Sequence, residues 1–519
     1  MLRTVLGAVG GALLLVATTA GTPAGSQLPD APQAAAPAAA PAAAPGRDRP
    51  NVVVVVMDDL RRDDLSWMPA VNKRIGDRGT TYTRYYTPMS LCCPARASML
   101  LGQYPHNTGV LTNAEPDGGF AGFTSLDGST LATWLNPYYA TAYVGKYFNG
   151  YEGPNQRYVP PGWNDWKGTI KTYGYLGTVT NNNGLPVDHD GTNSPKVFAR
   201  QAQKFIAGRK GNRKPFFLHL SFVTPHSGGP HTDGDLGPGF GTPYVPKRDR
   251  GTYDGPRHVR HAGFNERDVS DKTGPVAKLS RLTRAERDFV VLAMRQRRES
   301  LASADRAIND VLTTLRRTGQ LRDTYVIFTS DNGYLLGEHR FADGKRQPYE
   351  ESSRLPLLIR GPGIPVDRWN GMAITPDLAR TVLDMANLKP RRVVQDVTLD
   401  GRSILPKRSR LDNARRRTIL LEGANLPMDA ENGGEIRYAA PRKVGDTDFL
   451  HRSVVTRRWK LIEWNPFDSA ERGWELYDLR ADPHETNSVY GDDGTRRRTR
   501  ELKRRLDALW MCSGRQCEQ

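Results

Sequence analysis

The chain has 519 residues, of which 38% are hydrophobic, and it contains 51 glycines, 37 prolines and only four cysteines. This length allows two or more domains, and the composition fits a loop-rich protein better than a helical bundle. The formal net charge of +17 attracts polyanions such as nucleic acid, anionic surfaces or sulfated glycans. No nucleic-acid recognition motif accompanies the basic clusters, so we predict no nucleic-acid partner; solvated faces explain the clusters at least as well. The clusters lie at 391–392, 415–417 and 496–498.

Residues 1–20 have the pattern of a secretory signal peptide, because Arg3 precedes a short stretch of apolar and small residues. Residues 21–49 are rich in alanine and proline, which predicts an extended linker. The apolar stretch is short for a membrane span, and no later segment is long and apolar enough to be one. We therefore predict a secreted protein without stable membrane insertion, with an uncleaved N-terminal anchor as the alternative.

Three apolar runs in the folded part have the composition of strands buried on both faces of a parallel sheet. Each run leads into polar residues at its end, and ligands bind at this carboxyl edge in open α/β sheets. The three are 52–57, followed by Asp58-Asp59; 215–223, followed by Thr224-Pro225-His226; and 324–329, followed by Ser330-Asp331-Asn332.

Helical segments separate these predicted strands. A capping box formed by Thr283 and Glu286 predicts the start of a long amphipathic helix that runs towards Arg316. We predict an α/β fold with a large central, mostly parallel sheet flanked by helices. The segment 228–273 is rich in glycine, proline and histidine and is predicted to be irregular, either shaping a substrate cleft or serving as an ordered loop without a binding role.

The pattern changes after Gly401, where short antiparallel strands and a basic helix are predicted. We therefore place the main domain at 50–400 and a smaller C-terminal α+β subdomain at 401–519. Cys512 and Cys517 lie close together near the C-terminus, where a disulfide would close a small loop in an oxidising compartment. The sequence does not indicate the oligomeric state.

The run from Cys92 to Ser98 carries the spacing C-x-P-x-R and precedes a short apolar stretch that ends at Gly102. Pro94 suits the first turn of a helix, so Cys92 is expected at or just before a helix N-terminus, where backbone N–H groups favour an anion. Arg96 adds a planar donor fork suited to sulfate or phosphate. Together these residues indicate a nucleophile that faces an anion-binding site, although a buried structural thiol is the simpler interpretation of a lone cysteine.

Oxygen donors follow the first and third predicted strands. Asp58, Asp59, Asp331 and Asn332 offer three carboxylates and an amide, which suit a hard cation. We expect Ca²⁺ rather than Zn²⁺, because neither histidine nor thiolate belongs to this set of four.

The run from Cys92 to Ser98 also resembles the signature of type I sulfatases, which belong to the alkaline-phosphatase-like superfamily. Only Cys92 fits the spacing, because Pro94 follows Cys93 directly. The resemblance implies that a formylglycine-generating maturation enzyme oxidises Cys92, and that position 92 joins Asp58-Asp59 and Asp331-Asn332 around one calcium ion.

Further matches to the sulfatase pattern are cationic. Lys146 lies in a G-K-Y element, His226 matches a histidine near the leaving-group oxygen, and Lys345 precedes a Y-E pair. The resemblance implies that all three contact the substrate. Many relatives carry a histidine two residues after the lysine; here that position is Phe148, followed by Asn149.

The resemblance implies hydrolysis of sulfate monoesters through a formylglycine hydrate and a covalent sulfo-enzyme. Calcium, Lys146, Lys345 and Arg96 would surround the sulfate, and His226 or Lys345 would assist departure of the alcohol. The similarity is greatest to the N-acetylglucosamine-6-sulfatase type, which implies a sulfated carbohydrate substrate; an aryl sulfate also fits the class. The alternatives are a phosphodiester or phosphonate monoester hydrolase of the same superfamily, or a secreted polyanion-binding protein without catalysis.

Overall fold

A ten-stranded sheet forms the centre of the fold in a computed structural model of the chain. The structure describes residues 49–115, 117–151, 156–232, 241–253, 262–406, 416–424 and 449–518. The predicted signal peptide, 1–20, and all but the last residue of the predicted linker, 21–49, lie outside the described residues. The described residues belong to one compact unit. No helix among them is long and apolar enough to cross a bilayer.

The strands are two to seven residues long. In chain order they are β1 (Asn51–Met57), β2 (Thr80–Tyr82), β3 (Tyr85–Tyr86), β4 (Ala140–Gly145), β5 (Asp165–Thr169), β6 (Val179–Asn182), β7 (Leu185–Asp188), β8 (Phe216–Ser221), β9 (Thr324–Ser330), β10 (Arg354–Leu355), β11 (Leu357–Arg360), β12 (Asp367–Trp369), β13 (Ala373–Ile374), β14 (Ile419–Ala424), β15 (Phe449–Val455), β16 (Trp459–Trp464) and β17 (Gly473–Asp478).

The described α-helices lie between these strands or follow the last of them. They are α1 (Pro69–Arg74), α2 (Cys92–Leu101), α3 (Pro105–Thr108), α4 (Gly119–Thr124), α5 (Leu131–Leu135), α6 (Ser194–Gly208), α7 (Arg284–Arg317), α8 (Glu350–Ser353), α9 (Asp377–Met385), α10 (Pro390–Val393) and α11 (Arg496–Leu509).

The central part of the large sheet has the order β9-β1-β8-β4-β5, and every neighbouring pair in it is parallel. Antiparallel strands extend it on both sides, with β11 beside β9 and the β6–β7 hairpin beside β5. The fold class predicted from sequence is confirmed: the sheet is mostly parallel. Because the central strands share one direction, their carboxyl ends lie at the same edge.

The position of β1 between two hydrophobic cores explains why its sequence is continuously apolar. Val52, Val54 and Val56 pack into one core with residues of α2, α5 and α9. The alternate residues of the strand face the other core, which contains the apolar faces of α6 and α7. Both faces of the strand are therefore buried, as expected for a parallel sheet covered by helices on each side.

The long helix α7 begins as predicted. Thr283 and Glu286 form a capping box, in which the Thr283 N–H donates to the Glu286 carboxylate at 2.7 Å and the Glu286 N–H donates to the Thr283 hydroxyl at 3.3 Å. The helix then continues for 34 residues and buries its apolar face against the sheet.

A separate four-stranded antiparallel sheet, β14-β15-β16-β17, lies towards the C-terminus, with α11 packed against it. The structure joins Cys512 and Cys517 by a disulfide after this helix. The Cys512 carbonyl accepts hydrogen bonds from His106 Nε2 at 2.7 Å and from Asn107 Nδ2 at 2.8 Å. The C-terminal loop is therefore attached to α3, which follows the helix that carries Cys92.

Candidate active site

The carboxyl edge of the parallel strands gathers the residues that the sequence predicts for a site. Asp58 and Asp59 follow β1, Asn332 follows β9, and Lys146 follows β4. His226 follows β8 after a short irregular stretch. Since β9, β1, β8 and β4 are neighbours, four strands contribute side chains to one region.

Cys92 is the first residue of α2 and is completely buried. The preceding residue, Leu91, has extended backbone angles. The helix ends at Leu101, and the next residue, Gly102, has a φ of 68° in the left-handed region that favours glycine. The helix boundaries therefore follow the sequence prediction. They place the side chain of position 92 at the positive end of the helix dipole.

The Cys92 sulfur lies among charged groups. Lys345 Nζ is 3.0 Å from Sγ, and Asp58 Oδ1 is 3.6 Å from it. Burial raises the pKa of the Cys92 thiol, although the Lys146 and Lys345 ammonium groups oppose this effect. Because the thiolate is the nucleophilic form, an unmodified Cys92 is poorly suited to attack an ester.

Two lysines, the buried Lys146 and the partly exposed Lys345, pair with the two aspartates that follow β1. Lys146 Nζ lies 2.6 Å from Asp58, and Lys345 Nζ lies 2.6 Å from Asp59. Burial alone would raise the pKa of Asp59, but Lys345, His226 and Arg297 together lower it well below its usual range. Both lysines have raised pKa values, since these carboxylates outweigh the cost of burying the ammonium groups. The region thus holds two ammonium groups that stay protonated at neutral pH.

The loop after β4 requires its glycine. Gly145 has a φ of 104°, and a Cβ at this position would lie 1.8 Å from the Ser221 carbonyl oxygen. The next residue, Lys146, donates its backbone N–H to that same carbonyl at 3.0 Å. Glycine therefore lets the chain turn closely against β8 and direct Lys146 towards Asp58.

His226 lies at the opening of the site, with its side chain 19% exposed. Its Nδ1 is 2.8 Å from the Ser227 carbonyl, so this nitrogen carries the proton in the neutral ring. Nε2 is 3.7 Å from Asp59 Oδ2. Burial, with a smaller contribution from the two lysines, lowers the pKa of His226 to about 3 even though Asp59 opposes the change. The ring is therefore neutral at physiological pH.

The donor set around Asp58 and Asp59 fits a cation. These two carboxylates, Cys92 and His226 offer ligand atoms within 4.8 Å of one another. Asn332 Oδ1 is buried and accepts no hydrogen bond from the described residues. The structure thus adds His226 to the oxygen donors predicted from sequence. The set of carboxylates and an unpartnered amide oxygen suits a hard cation, and the histidine nitrogen adds a softer ligand.

Asp331 is turned towards protein groups. Its Oδ1 accepts the backbone N–H groups of Asp59 at 3.2 Å and Asn332 at 2.8 Å, and its Oδ2 is bound by Arg96. Burial and the neighbouring Asp58 raise the pKa of Asp331 to about 6. In this arrangement Asp331 organises the backbone around the other candidate ligands, and its metal-binding role remains a prediction.

Arg96 lies one helical turn after Cys92 and is also buried. Its guanidinium binds Asp331 Oδ2 through Nε at 3.0 Å and Nη2 at 2.8 Å. Nη1 donates to the Lys146 carbonyl at 2.9 Å and to the Ser221 hydroxyl at 2.8 Å. The arginine therefore links α2 to the carboxyl ends of β9, β4 and β8. The sequence also predicts that Arg96 binds an anion, and this role stays a prediction.

Family comparison identifies the chain. A model described as sulfatase matches residues 50–388, and one described as N-sulphoglucosamine sulphohydrolase, C-terminal, matches residues 438–511. The chain belongs to the sulfatase family. It is a sulfuric ester hydrolase by family.

Individual relatives agree with this assignment. The chain is 31% identical to an arylsulfatase of Volvox carteri over 90% of its own length and 76% of that protein. It is 30% identical to an N-acetylglucosamine-6-sulfatase of Capra hircus over 91% of its own length and 85% of that protein.

Solved structures share the fold. One, described as a complex with its substrate D-glucosamine-2-N,6-O-disulfate, has a TM-score of 0.62 and 22% identity and covers 89% of this chain and 97% of its own. A phosphonate monoester hydrolase of Agrobacterium radiobacter also has a TM-score of 0.62, with 20% identity, and covers 89% of this chain and 95% of its own. These likenesses show an alkaline-phosphatase-like fold.

The sulfatase structure reveals site residues that the sequence did not indicate. Tyr173 stacks on the His226 ring with centroids 4.6 Å apart, and its ring centre is 4.9 Å from Lys146 Nζ. Its hydroxyl donates to Asn149 at 3.2 Å. Tyr173 lies in a loop without periodicity or a motif, so only the three-dimensional structure reveals its place beside two predicted site residues.

Phe148, two residues after Lys146, differs from the histidine that many sulfatases carry at this position, and its contacts show its role here. Phe148, which occupies the position where many sulfatases carry histidine, is buried and stacks on Phe123 with centroids 4.1 Å apart. Its neighbour Asn149 faces Tyr173. In this sulfatase the Tyr173 ring therefore lies beside Lys146, and the Asn149 amide binds the hydroxyl of that tyrosine.

Arg297 of α7 is a second residue that the sequence analysis missed. Its guanidinium donates to the carbonyl oxygens of Asp59 and Pro225, the latter at 3.2 Å. Asp59 has a φ of 63°, which non-glycine residues rarely adopt. Arg297 thus holds the backbone of Asp59 and of the segment before His226 together.

Proposed function

We propose that this sulfatase is a secreted enzyme that hydrolyses sulfate monoesters of a sulfated sugar, such as N-acetylglucosamine 6-sulfate. One observation carries the proposal: the buried Cys92 lies at a helix N-terminus in contact with Lys345 and Asp58. The names of the goat relative and of the substrate complex support a sulfated sugar as the substrate class. The relatives that are named extracellular sulfatases support secretion.

We assign the nucleophile to position 92 after conversion of Cys92 to formylglycine by a maturation enzyme. The raised pKa of the thiol supports this assignment, because an unmodified cysteine here stays protonated. The modified residue would supply a hydrated aldehyde, whose one hydroxyl attacks sulfur while the other permits later release of sulfate.

Calcium is the proposed cation, which Asp58, Asp59, Asp331 and Asn332 would hold together with position 92. It would supply positive charge beside a sulfate oxygen. Hard oxygen donors dominate the set, which favours Ca²⁺ over Zn²⁺ although His226 lies close. Asp58 and Asp59, the present partners of Lys146 and Lys345, would then serve as ligands of the cation.

Lys146 and Lys345 would then bind sulfate oxygens and stabilise the charge that develops in the transition state. Lys345 is protonated and contacts Cys92, so it can donate a proton to the departing alcohol. His226 is neutral with an unprotonated Nε2 and is better placed to orient the substrate or accept a proton. Of the two alternatives for the acid, the structure favours Lys345. Arg96 keeps the helix and Asp331 in position.

The test compares substrates on the full chain produced together with a formylglycine-generating enzyme. We expect a higher kcat/KM for N-acetylglucosamine 6-sulfate and 4-nitrophenyl sulfate than for bis(4-nitrophenyl) phosphate. A higher rate on the diester would favour the phosphodiester or phosphonate hydrolase alternative. The Cys92→Ala variant should lose sulfate hydrolysis; full activity of that variant would exclude the proposed nucleophile. Recovery of the wild-type protein from the culture medium of its host tests secretion.

A further inference from the structure

A groove of about 340 Å³ lies between α6 and α7 on the helical layer of the catalytic domain. This volume is at the lower end of the range of about 300–1,000 Å³ that is usual for ligand pockets. Ala199 of α6 and Ala307 of α7 form its floor, and their small side chains leave space between the helices. The loop that carries Pro246 and Arg248 closes one side.

Basic side chains dominate the groove. Lys196 and Arg200 lie one turn apart on α6, both exposed, and no carboxylate in the described part of the chain forms an ion pair with either. Arg306 lies 2.6 Å from Asp249, while Arg248 is 3.7 Å from the same carboxylate and largely exposed. The only acidic side chain among the described lining residues is Asp310. With Asp249 behind the lining, two carboxylates therefore oppose four cationic side chains, and the net charge of the groove is positive.

The groove also offers neutral polar groups. Asn193 Oδ1 is buried and accepts no hydrogen bond from any described residue, and Gln203 and Ser303 lie further along the same walls. No aromatic side chain lies among the described lining residues. Single-stranded nucleic acid binds on aromatic stacking platforms, which this lining lacks. Exposed cations interspersed with amides and a hydroxyl suit a ligand with both anionic groups and sugar hydroxyls.

Hydrogen bonds link one wall of the groove to the candidate active site. The backbone N–H of Ser194, next to Asn193, donates to the Tyr175 carbonyl at 2.8 Å, and the Tyr175 hydroxyl donates to the His226 carbonyl at 2.7 Å. On the other wall, Arg306 lies about 14 Å along α7 from Arg297, the residue that binds the Asp59 carbonyl. Asn193, a lining residue of the groove, is therefore linked to the His226 backbone through Ser194 and Tyr175.

We propose that this groove is a secondary binding site for a sulfated oligosaccharide segment outside the catalytic centre. Lys196 and Arg200 bind its sulfate groups, and Asn193 and Ser303 bind its hydroxyls. The proposal rests on the proposed function for the choice of a sulfated glycan over other polyanions. It makes this sulfatase more effective on long sulfated chains than on single sugars, because a chain bound in the groove stays near the active site.

The test uses the full chain with Lys196→Glu and Arg200→Glu combined. The matched control combines Lys204→Glu and Lys210→Glu, which changes the net charge equally at two exposed lysines outside the groove. Binding of size-fractionated heparin oligosaccharides is measured in a Cys92→Ala background, so that no turnover occurs. We expect the groove variant to bind about tenfold more weakly, since each exposed ion pair contributes a factor of a few. The control should bind like the parent protein.

Equal losses in the groove variant and the control would overturn the proposal, because general charge would then explain the binding. Single-stranded DNA of similar charge that binds as tightly, with the same dependence on the groove, would also overturn it in favour of nucleic acid. With Cys92 present, 4-nitrophenyl sulfate turnover should be equal in both variants, which checks that the fold is intact. If the protein hydrolysed no sulfate ester while heparin binding still depended on the groove, the proposed function would fail and the secondary site would stand.

Discussion

Replacement of Lys345 by methionine tests the proposed role of the ammonium group nearest to Cys92. The side chain lies 2.6 Å from Asp59 and 3.0 Å from the Cys92 sulfur. Loss of one charged group aimed at the reacting centre typically lowers kcat by about 100- to 1,000-fold, or roughly 3–4 kcal/mol of transition-state stabilisation. The substitution also leaves Asp59 buried without its partner, at a cost of about 3–5 kcal/mol in the free energy of unfolding when no cation replaces it.

The stability effect requires a control. Arg417 is a buried cation whose Nη1 lies 2.6 Å from Asp377. Its charge also interacts with Tyr104 and Glu518, and all three partners lie outside the candidate active site. We expect Arg417→Met to lower Tm by a similar amount and to leave kcat nearly unchanged at temperatures where the variant is folded. Lys345→Arg should retain stability better than Lys345→Met. Wild-type kcat in folded Lys345→Met, or equal losses of kcat in the two methionine variants, would refute the reasoning.

Three further predictions concern orientation, metal and pH. Tyr173→Ala should raise KM and lower kcat, because His226 loses its stacking partner, whereas Tyr173→Phe should keep most of the activity; equal loss in both variants would instead point to the hydroxyl. Removal of divalent cations by a chelator should abolish sulfate hydrolysis, and Ca²⁺ should restore it better than Zn²⁺; full activity of the metal-free protein would contradict the cation site. The contact of His106 with Glu422 and the Cys512 carbonyl raises the pKa of His106 to about 9 from 6.5, despite burial. Protonated His106 therefore contributes about 3 kcal/mol to the free energy of unfolding, a contribution that is fully present below pH 6.5 and lost as pH rises through 9. In thermal unfolding, the Tm of the wild-type protein should fall over this pH range, whereas the Tm of His106→Gln should not show this fall. Parallel pH profiles of Tm for the two proteins would contradict the prediction.

The strand ends were predictable from sequence because burial on both faces leaves a continuous apolar run that stops where the chain meets solvent or a ligand. The runs before Asp58, His226 and Asp331 all became parallel strands in one sheet. The capping box of α7 was predictable because it depends on local hydrogen bonds at fixed spacing. Where the signal lies in a few consecutive residues, the sequence was therefore sufficient.

Features set by distant contacts were not predictable in this way. Arg96 has the correct helix position for an anion site, but its direction depends on the buried Asp331, which is far away in the sequence. Tyr173 lies in a loop, and its contact with His226 arises only after β5 and β8 have taken their places in the sheet. The two-residue strands β3 and β10 have no room for periodicity, so their pairing depends on the surrounding fold.

The most direct test of the central claim is mass analysis of the peptide that contains Cys92, taken from an active preparation made in the native host. We predict formylglycine in place of Cys92, with sulfate hydrolysis proportional to the converted fraction across preparations. Unmodified cysteine throughout a fully active preparation would contradict the proposed nucleophile.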